Sequence, residues 1–279
     1  MRRIYKRLTS GGALMTSWHY IAKSPCYFQH LGQTGLKIST EETCILVDPY
    51  LSDSVQLLDS PDLVRQVPIA YDPKTLTNVD WVLITHEHMD HCDPHTIPAL
   101  AEASPQARFL APEPVRRQLR DWGIAETRIL PATTDWIELG SELKARAVPA
   151  AHPRILLGKD GEPKAVGYLV ERGGQRVWIA GDTSVCEELM QCLQALLPIH
   201  TALLPVNEDN FYRRRRGIVG NMSVREAFGL AAELNIEQVV PVHWDLFEIN
   251  STSPEEIQAV YRAHQWPFRL EMKAEAICL

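Results

Sequence analysis

A histidine-rich stretch between an apolar run and a helical pattern constrains this chain more than any other part of its sequence. It reads Thr85-His86-Glu87-His88-Met89-Asp90-His91-Cys92-Asp93. The apolar run at 81–84 has the length of a buried strand, and the pattern that begins at Asp93-Pro94 predicts a helix. The stretch is therefore expected to form a strand-to-helix loop, a kind of segment that often carries functional side chains.

Three histidines and two aspartates fall within eight residues of this loop. Imidazole nitrogens and carboxylate oxygens are the mixture of ligands that zinc and other first-row divalent cations accept. In an extended segment, side chains two positions apart point the same way, so His86 and His88 can hold one cation together. Asp90 and His91 lie past the turn, in a position to hold a second. The alternative is a polar loop without a metal, but the density of ligands favours a metal site.

Three further candidate ligands follow apolar strand patterns. His152, Asp182 and His243 are far apart in sequence, but strand ends can converge at one edge of a sheet. Each is a weak signal alone, because a single histidine is more often a hydrogen-bonded surface or core residue. Asp48 also ends an apolar run, where it can orient the metal ligands from behind or form a turn with Pro49.

The rest of the chain alternates strand and helix patterns. Period-two segments predict strands, Gly173-Gly174 predicts a tight hairpin, and Ser223 and Ser253 are predicted to begin helices. Residues 51–78 have no strong period and are expected to form a lid or a loop. These patterns predict an α/β fold.

Composition limits the classes of function. A 279-residue chain that is 45% hydrophobic can bury a sizeable core, and a net charge of −7 gives no general attraction to nucleic acid or to anionic membranes. The six cysteines include no C-x-x-C pair, which indicates reduced thiols and a cytoplasmic location. No apolar run reaches the ~18 residues that span a bilayer. Association into a homo-oligomer is left open.

The first 26 residues are predicted to be a leader, and residues 27–279 a single domain. No acidic residue precedes Glu41, whereas several basic residues do. Organelle presequences have this bias, and a natural start at Met15 is the alternative explanation. The sequence leaves open whether Met1 or Met15 is the natural start.

The T-H-x-H-x-D-H-x-D pattern, the later His152, the G-D-T at 181–183 and the final His243 resemble the metallo-β-lactamase-fold hydrolases. The resemblance runs from about Tyr27 to Tyr261. Within that superfamily, the segments 80–86, 204–207, 217–222 and 240–245 are similar to the L-ascorbate-6-phosphate lactonase group. The chain differs from that group in having Ser184 where the lactonase pattern carries a histidine. The resemblance implies a four-layer αββα sandwich with metals at the sheet edges.

Ligand pattern and resemblance together predict two divalent cations, zinc or manganese. His86, His88 and His152 are expected to hold one and Asp90, His91 and His243 the other, while Asp182 contacts both; Asp90 and Asp182 are the predicted catalytic carboxylates. The predicted activity is hydrolysis by a metal-activated water, on a small phosphorylated lactone or a sugar phosphate. The alternatives are a phosphodiesterase of the same fold and a metal-binding regulatory protein without turnover.

One strongly basic run suggests how a small anionic substrate is bound. It reads Tyr212-Arg213-Arg214-Arg215-Arg216-Gly217, and guanidinium groups match phosphate oxygens well. Four successive arginines cannot all face inward, so Arg215 and Arg216 are the predicted substrate contacts, with Asn207 as a third. The alternative is a solvated loop or a subunit contact.

Overall fold

The computed structural model describes residues 25–277 and residue 279. All but the last two residues of the predicted leader 1–26 therefore lie outside the described residues, as do Met1 and Met15. Thirteen strands run through the described part of the chain: β1 (Tyr27–Gly32), β2 (Gly35–Ser39), β3 (Cys44–Val47), β4 (Trp81–Leu83), β5 (Arg108–Ala111), β6 (Ile129–Pro131), β7 (Ile137–Gly140), β8 (Leu143–Pro149), β9 (Val166–Arg172), β10 (Gln175–Ile179), β11 (Thr201–Pro205), β12 (Gln238–Val242) and β13 (Arg269–Leu270). The α-helices in the same residues are α1 (Ser54–Leu58), α2 (Thr96–Ala103), α3 (Glu113–Asp121), α4 (Glu187–Gln194), α5 (Phe211–Arg215), α6 (Val224–Glu233) and α7 (Pro254–Ala263).

The strands form two mixed sheets of similar design. One sheet has the order β1-β2-β3-β4-β5-β6, and the other has the order β13-β12-β11-β10-β9-β8-β7. In the first, β1 to β3 pair antiparallel and β3 to β6 pair parallel. In the second, β7 to β10 pair antiparallel and β10 to β13 pair parallel. The chain thus repeats one arrangement of strands in its two halves.

Alternate residues of the central strands pack on opposite faces of each sheet, because successive strand side chains point to opposite sides. In β4 and β11, Leu83 and Leu203 belong to the core between the two sheets. Val82 packs instead with the helices that cover the first sheet, and Leu204 with those that cover the second. Both faces are buried, which explains why these strands have near-continuous apolar sequences.

Helices form the two outer layers. Residues of α2 and α3, such as Ile97 and Val115, pack on the first sheet. Residues of α4, α6 and α7, such as Leu189, Phe228 and Ile257, pack on the second. The predicted four-layer αββα sandwich is therefore confirmed.

Local structure differs from the sequence prediction at two connections. Helix α2 begins at Thr96, two residues later than Pro94, because the Asp93 carboxylate accepts hydrogen bonds from His95 N and from Thr96 Oγ1 and forms a turn first. The segment 51–78 is not a plain loop, since it contains α1. The capping box at Ser223 and Glu226 is present as predicted.

Within residues 25–277, no helix combines the length and the apolar character needed to cross a bilayer.

Removal of a side chain from the core between the sheets should lower the free energy of unfolding. Leu203 is 1% exposed, so Leu203→Ala is expected to lose about 2–5 kcal/mol through lost burial and a residual cavity. Urea unfolding followed by circular dichroism measures this change. Leu157→Ala is the matched control, because Leu157 is 58% exposed and should change stability by less than about 0.5 kcal/mol. Similar losses in both variants would contradict the assigned core.

Candidate metal centre

Strand ends from both sheets meet where the predicted ligands lie. His86 follows β4 of the first sheet, whereas His152, Asp182 and His243 follow β8, β10 and β12 of the second. Their polar atoms form two groups, and within each group the atoms lie within 4.8 Å of one another. The structure therefore brings together all seven predicted ligands, divided as predicted except that Asp182 falls in the first group.

The first group is made largely of imidazoles. His86 Nε2 lies 2.9 Å from His88 Nδ1, and His152 Nε2 lies 3.2 Å from the same His88 atom. Asp182 Oδ2 is 3.7 Å from His152 Nε2. Burial lowers the pKa of His86 well below its usual value, and it lowers the pKa of His152 to about 4. Both rings are therefore neutral at pH 7, which is the form that binds cations.

The second group has two imidazoles and one carboxylate. Asp90 Oδ2 lies 3.5 Å from His243 Nε2 and 3.8 Å from His91 Nε2. Burial works against protonation of both histidines, but the nearby carboxylates, Asp182 foremost, outweigh it. They raise the pKa of His91 well above its usual value and that of His243 to about 9. The carboxylates of this half of the site thus stabilise positive charge near the two rings.

Asp182 connects the two groups. Its Oδ1 lies 3.3 Å from His91 Nε2, and its Oδ2 lies 3.4 Å from His243 Nε2. Burial raises the pKa of the Asp182 carboxyl, but the His243 and His91 rings outweigh burial and hold that pKa well below its usual range. A buried, ionised carboxylate placed in this way can contact two cations.

Two buried atoms support a fit between these residues and divalent cations. His91 Nε2 and Asp182 Oδ1 are both fully buried and lie 3.3 Å apart as an ion pair, without hydrogen-bond geometry to each other or to another group. A buried polar atom without a partner costs about 1–3 kcal/mol, and a metal–ligand bond removes that penalty. The donor set, histidine nitrogens with aspartate oxygens, is also one that first-row divalent cations prefer.

Asp48 lies behind the ligands, in a position that fits the first of the two roles that the sequence left open. Its carboxylate is fully buried and accepts hydrogen bonds from Thr85 N at 2.8 Å, Thr85 Oγ1 at 2.7 Å and His91 Nδ1 at 2.8 Å. Because His91 Nδ1 donates its proton to Asp48, Nε2 is the ring nitrogen that faces the site. Carboxylates behind ligating histidines commonly fix the tautomer and orientation in this way.

The backbone around the site adopts conformations that most residues avoid. Asp48 has φ of 42° and His243 has φ of 59°, both in the left-handed region. At Gly181, which has φ of 62°, an added Cβ would lie 2.9 Å from Thr85 Cβ. Only glycine allows β10 to end so close to the histidine-rich loop, and this contact places Asp182 beside ligands from the other sheet.

A cavity of about 490 Å³ opens onto the ligands, and His88, Asp90, Asp182 and His243 line it. Apolar side chains from separate segments form much of the remaining wall, namely Val55, Leu63, Met89, Ile218, Val219, Phe247 and Ile249. The segment 51–78, predicted to be a lid or a loop, supplies part of this wall through α1 and the residues after it. The site is thus a pocket with cation ligands on one wall.

Comparison with known proteins identifies the family. Residues 43–244 match the family described as the beta-lactamase superfamily domain. The chain belongs to the beta-lactamase superfamily. It is 28% identical over 253 residues to a metal-dependent hydrolase of Methylacidiphilum infernorum, covering 88% of this chain and 95% of that protein. A metal-dependent hydrolase of Pyrobaculum arsenaticum is 25% identical over 229 residues, with coverage of 82% and 88%.

Solved structures support the same fold. Igni18, a metallo hydrolase from Ignicoccus hospitalis, has a TM-score of 0.64 at 21% identity and covers 92% of this chain and 98% of its own. The metallo-beta-lactamase fold protein YhfI from Bacillus subtilis has a TM-score of 0.62 at 13% identity, with coverage of 89% and 96%. The resemblance to the lactonase group within the superfamily stays a prediction.

The predicted substrate-binding residues of this superfamily member lie in different environments. Arg216 lines the cavity, whereas Arg215 is exposed on α5 and is not among the lining residues. Arg213 is buried, and its guanidinium donates hydrogen bonds to the backbone carbonyls of Glu208 and Ser251, so it supports the fold. Of the two favoured arginines, only Arg216 is placed at the cavity.

The structure does not bring Asn207 to the cavity. Its side chain is fully buried, donates to Asn250 Oδ1 at 3.1 Å and accepts from Asn221 Nδ2 at 2.9 Å. Both ends of the amide are therefore used to join the loops beneath the cavity wall. The place of Asn207 directly after β11 explains why it resembles a site residue in the sequence.

Sequence reasoning did not identify two residues that contact the ligands. Gln33 Nε2 lies 2.6 Å from Asp90 Oδ2, and Thr34 Oγ1 lies 3.1 Å from His91 Nδ1. Both form the two-residue turn between β1 and β2, which places them beside the site. In the sequence these two residues stand between Gly32 and Gly35, and no nearby pattern indicates that the turn faces the metal ligands.

Loss of the Asp48 carboxylate should weaken cation binding in this superfamily member. Asp48→Asn keeps the size but removes the negative charge that orients His91, so affinity for Zn²⁺ should fall about ten- to a hundredfold. Competition with a chromophoric chelator measures this affinity. The control is Asp121→Asn, at an exposed position at the end of α3, which should bind as the parent does. Unchanged affinity in a folded Asp48→Asn protein would contradict the bracing role.

Proposed function

We propose that this chain is a metal-dependent hydrolase of a small substrate that carries one anionic group. The observation that carries the proposal is the pair of ligand groups joined by Asp182 on the wall of a cavity of about 490 Å³. A cavity of this size suits a small molecule. The relatives named metal-dependent hydrolases support the same reaction class.

Each part of the site has a distinct task in this proposal. His86, His88 and His152 would hold one cation, Asp90, His91 and His243 would hold the other, and the Asp182 carboxylate would be available to both. When bound, divalent cations activate a water for attack and stabilise the oxygen that gains charge. Asp90 and Asp182 supply the negative charge that retains the cations, while Asp48 holds His91 in its ligating orientation. The apolar wall positions the substrate and excludes bulk water.

The ligands also bear on the identity of the cations. Three histidines in the first group are a set that zinc prefers, whereas the second group has two histidines and one aspartate, a set that also accommodates manganese. We therefore propose zinc at the first position and either zinc or manganese at the second.

The charges of the cavity wall favour a substrate of low charge. Among the described residues that line the cavity, Arg216 alone has a permanent positive charge, and Asp59, Asp62 and Glu87 add negative charge. Such a wall favours one anionic group, which Arg216 can bind, and disfavours a polyphosphate or a nucleic acid. A phosphorylated lactone or a sugar phosphate has this size and charge. A phosphodiester of similar size is the second candidate.

A reducing, cytoplasmic setting belongs to the same proposal. Cys26, Cys44, Cys92, Cys186 and Cys192 are all free thiols in the structure. Disulfides are rare in cytosolic proteins because the thiols there are kept reduced.

A substrate screen with ligand variants tests the proposal. Purified protein reloaded with Zn²⁺ or Mn²⁺ is assayed on phosphorylated lactones, sugar phosphates and phosphodiesters. We expect turnover of at least one class, and loss of both bound metal and turnover in His86→Ala and Asp182→Ala, because each removes a first-group ligand. Elemental analysis reports the metal, and circular dichroism reports the fold. His264→Ala, at an exposed position after α7, is the control. Folded variants that keep wild-type metal content would overturn the proposal.

Arg216 should determine how well anionic substrates are used. A charge-assisted contact contributes roughly 1.5–3 kcal/mol, so Arg216→Ala should lower kcat/KM about ten- to a hundredfold on an anionic substrate. A neutral analogue should be hydrolysed equally well by both proteins, since its reaction does not use the arginine. Arg215→Ala is the matched control, with the same charge lost from the neighbouring exposed position, and should keep full activity. Equal losses on charged and neutral substrates would show that Arg216 supports only the fold.

A further inference from the structure

The amide of Gln33 contacts the second group of ligands directly. Its Nε2 lies 2.6 Å from Asp90 Oδ2 and 3.0 Å from His243 Nε2. Asp90 Oδ2 and His243 Nε2 themselves lie 3.5 Å apart within the second group. No comparable amide contact is made with the first-group histidines among the described residues. The two halves of the site therefore differ in more than their ligand types.

The backbone of Gln33 is held firmly in this place. Its N donates to Asp245 Oδ1 at 3.3 Å, and its carbonyl accepts from the backbone N of His243 at 2.9 Å. The residue is only 1% exposed and has a left-handed φ of 58°. The side chain thus starts from a fixed backbone beside His243.

The amide nitrogen of Gln33 places partial positive charge beside the Asp90 carboxylate, as a bound cation would. Its N–H hydrogens carry partial positive charge, and one of them is donated to the ionised Asp90 carboxylate, where a cation would otherwise contribute the positive charge. A cation that binds Asp90 Oδ2 and His243 Nε2 together must displace this nitrogen or rotate the amide. The buried Gln33 Oε1 has no hydrogen-bond partner, so the amide is held mainly through its nitrogen.

We propose that Gln33 is a positioning residue that gives the two cation positions different affinities. Its amide nitrogen competes with a cation at the Asp90–His91–His243 position. The His86–His88–His152 position fills first and binds more tightly, and the second fills only at higher cation concentration. This inference rests on the proposed metal-dependent function. It adds that the number of bound cations, and any activity that needs both, depend on the free cation concentration.

Zinc titration of the whole chain tests the proposal. Binding is measured by competition with a chromophoric chelator, which resolves the two affinities and the stoichiometry. Two variants remove the contact: Gln33→Ala shortens the side chain to one carbon, and Gln33→Asn withdraws the amide while retaining a residue type that tolerates left-handed backbone. Gln191→Ala, at an exposed position on α4, is the matched control.

We expect wild type to bind two Zn²⁺ with affinities at least tenfold apart. Both Gln33 variants should tighten the weaker site about ten- to a hundredfold, the range for loss of a competing charge-assisted hydrogen bond, and leave the tighter site unchanged. Unchanged or weakened binding at the second site in the folded variants would overturn the proposal, and weakening would identify Gln33 as a ligand or support. Absence of any tight site in wild type would instead contradict the proposed metal-dependent function.

Discussion

The buried carboxylate of Asp48 is the interaction on which the arrangement of the site depends. It is fully excluded from solvent, and an unpaired charge in such a place would be very unfavourable. Hydrogen bonds from Thr85 and His91 compensate for this burial, and they fix the beginning and the middle of the histidine-rich loop relative to β3. The same carboxylate that needs these donors therefore determines where the ligand atoms point. The hydrogen bonds of Asp48 therefore fix both the conformation of the loop and the orientation of the His91 ligand.

The arrangement of the site depends also on the contact between the two sheets at Thr85. The Thr85 carbonyl accepts a hydrogen bond from Val166 N of the second sheet at 3.0 Å. The Gly181 backbone lies so close to the Thr85 side chain that a residue with a Cβ would not fit there. One sheet supplies the dense loop and the other supplies His152, Asp182 and His243. A metal centre built in this way requires correct packing of the whole αββα sandwich, because neither sheet carries a complete set of ligands.

The cavity wall is built from the connections and not from the sandwich itself. The turn after α1, the segment after α5 and the loop after β12 all contribute. Phe247 of this wall belongs to a small apolar cluster that also includes Tyr50 and Leu246. Loops of this kind vary more easily than the strands that hold the ligands. Reaction class and substrate choice are thus located in different parts of the molecule, which is consistent with many substrates being served by one fold.

The sequence by itself determined the elements and the ligand types. Short apolar runs identified the central strands, capping residues identified helices α6 and α7, and the density of histidines and aspartates at 86–93 indicated the metal chemistry, since these signals depend on residues close together in the chain. Only the tertiary structure decided that Arg216 and not Arg215 lies at the cavity, that Asn207 is buried beneath it, and that Gln33 contacts Asp90. These outcomes depend on how a turn between β1 and β2, a short helix and a strand end approach each other in space. Contacts between segments that are distant in sequence leave no local pattern, so they appear only when the sheets pack.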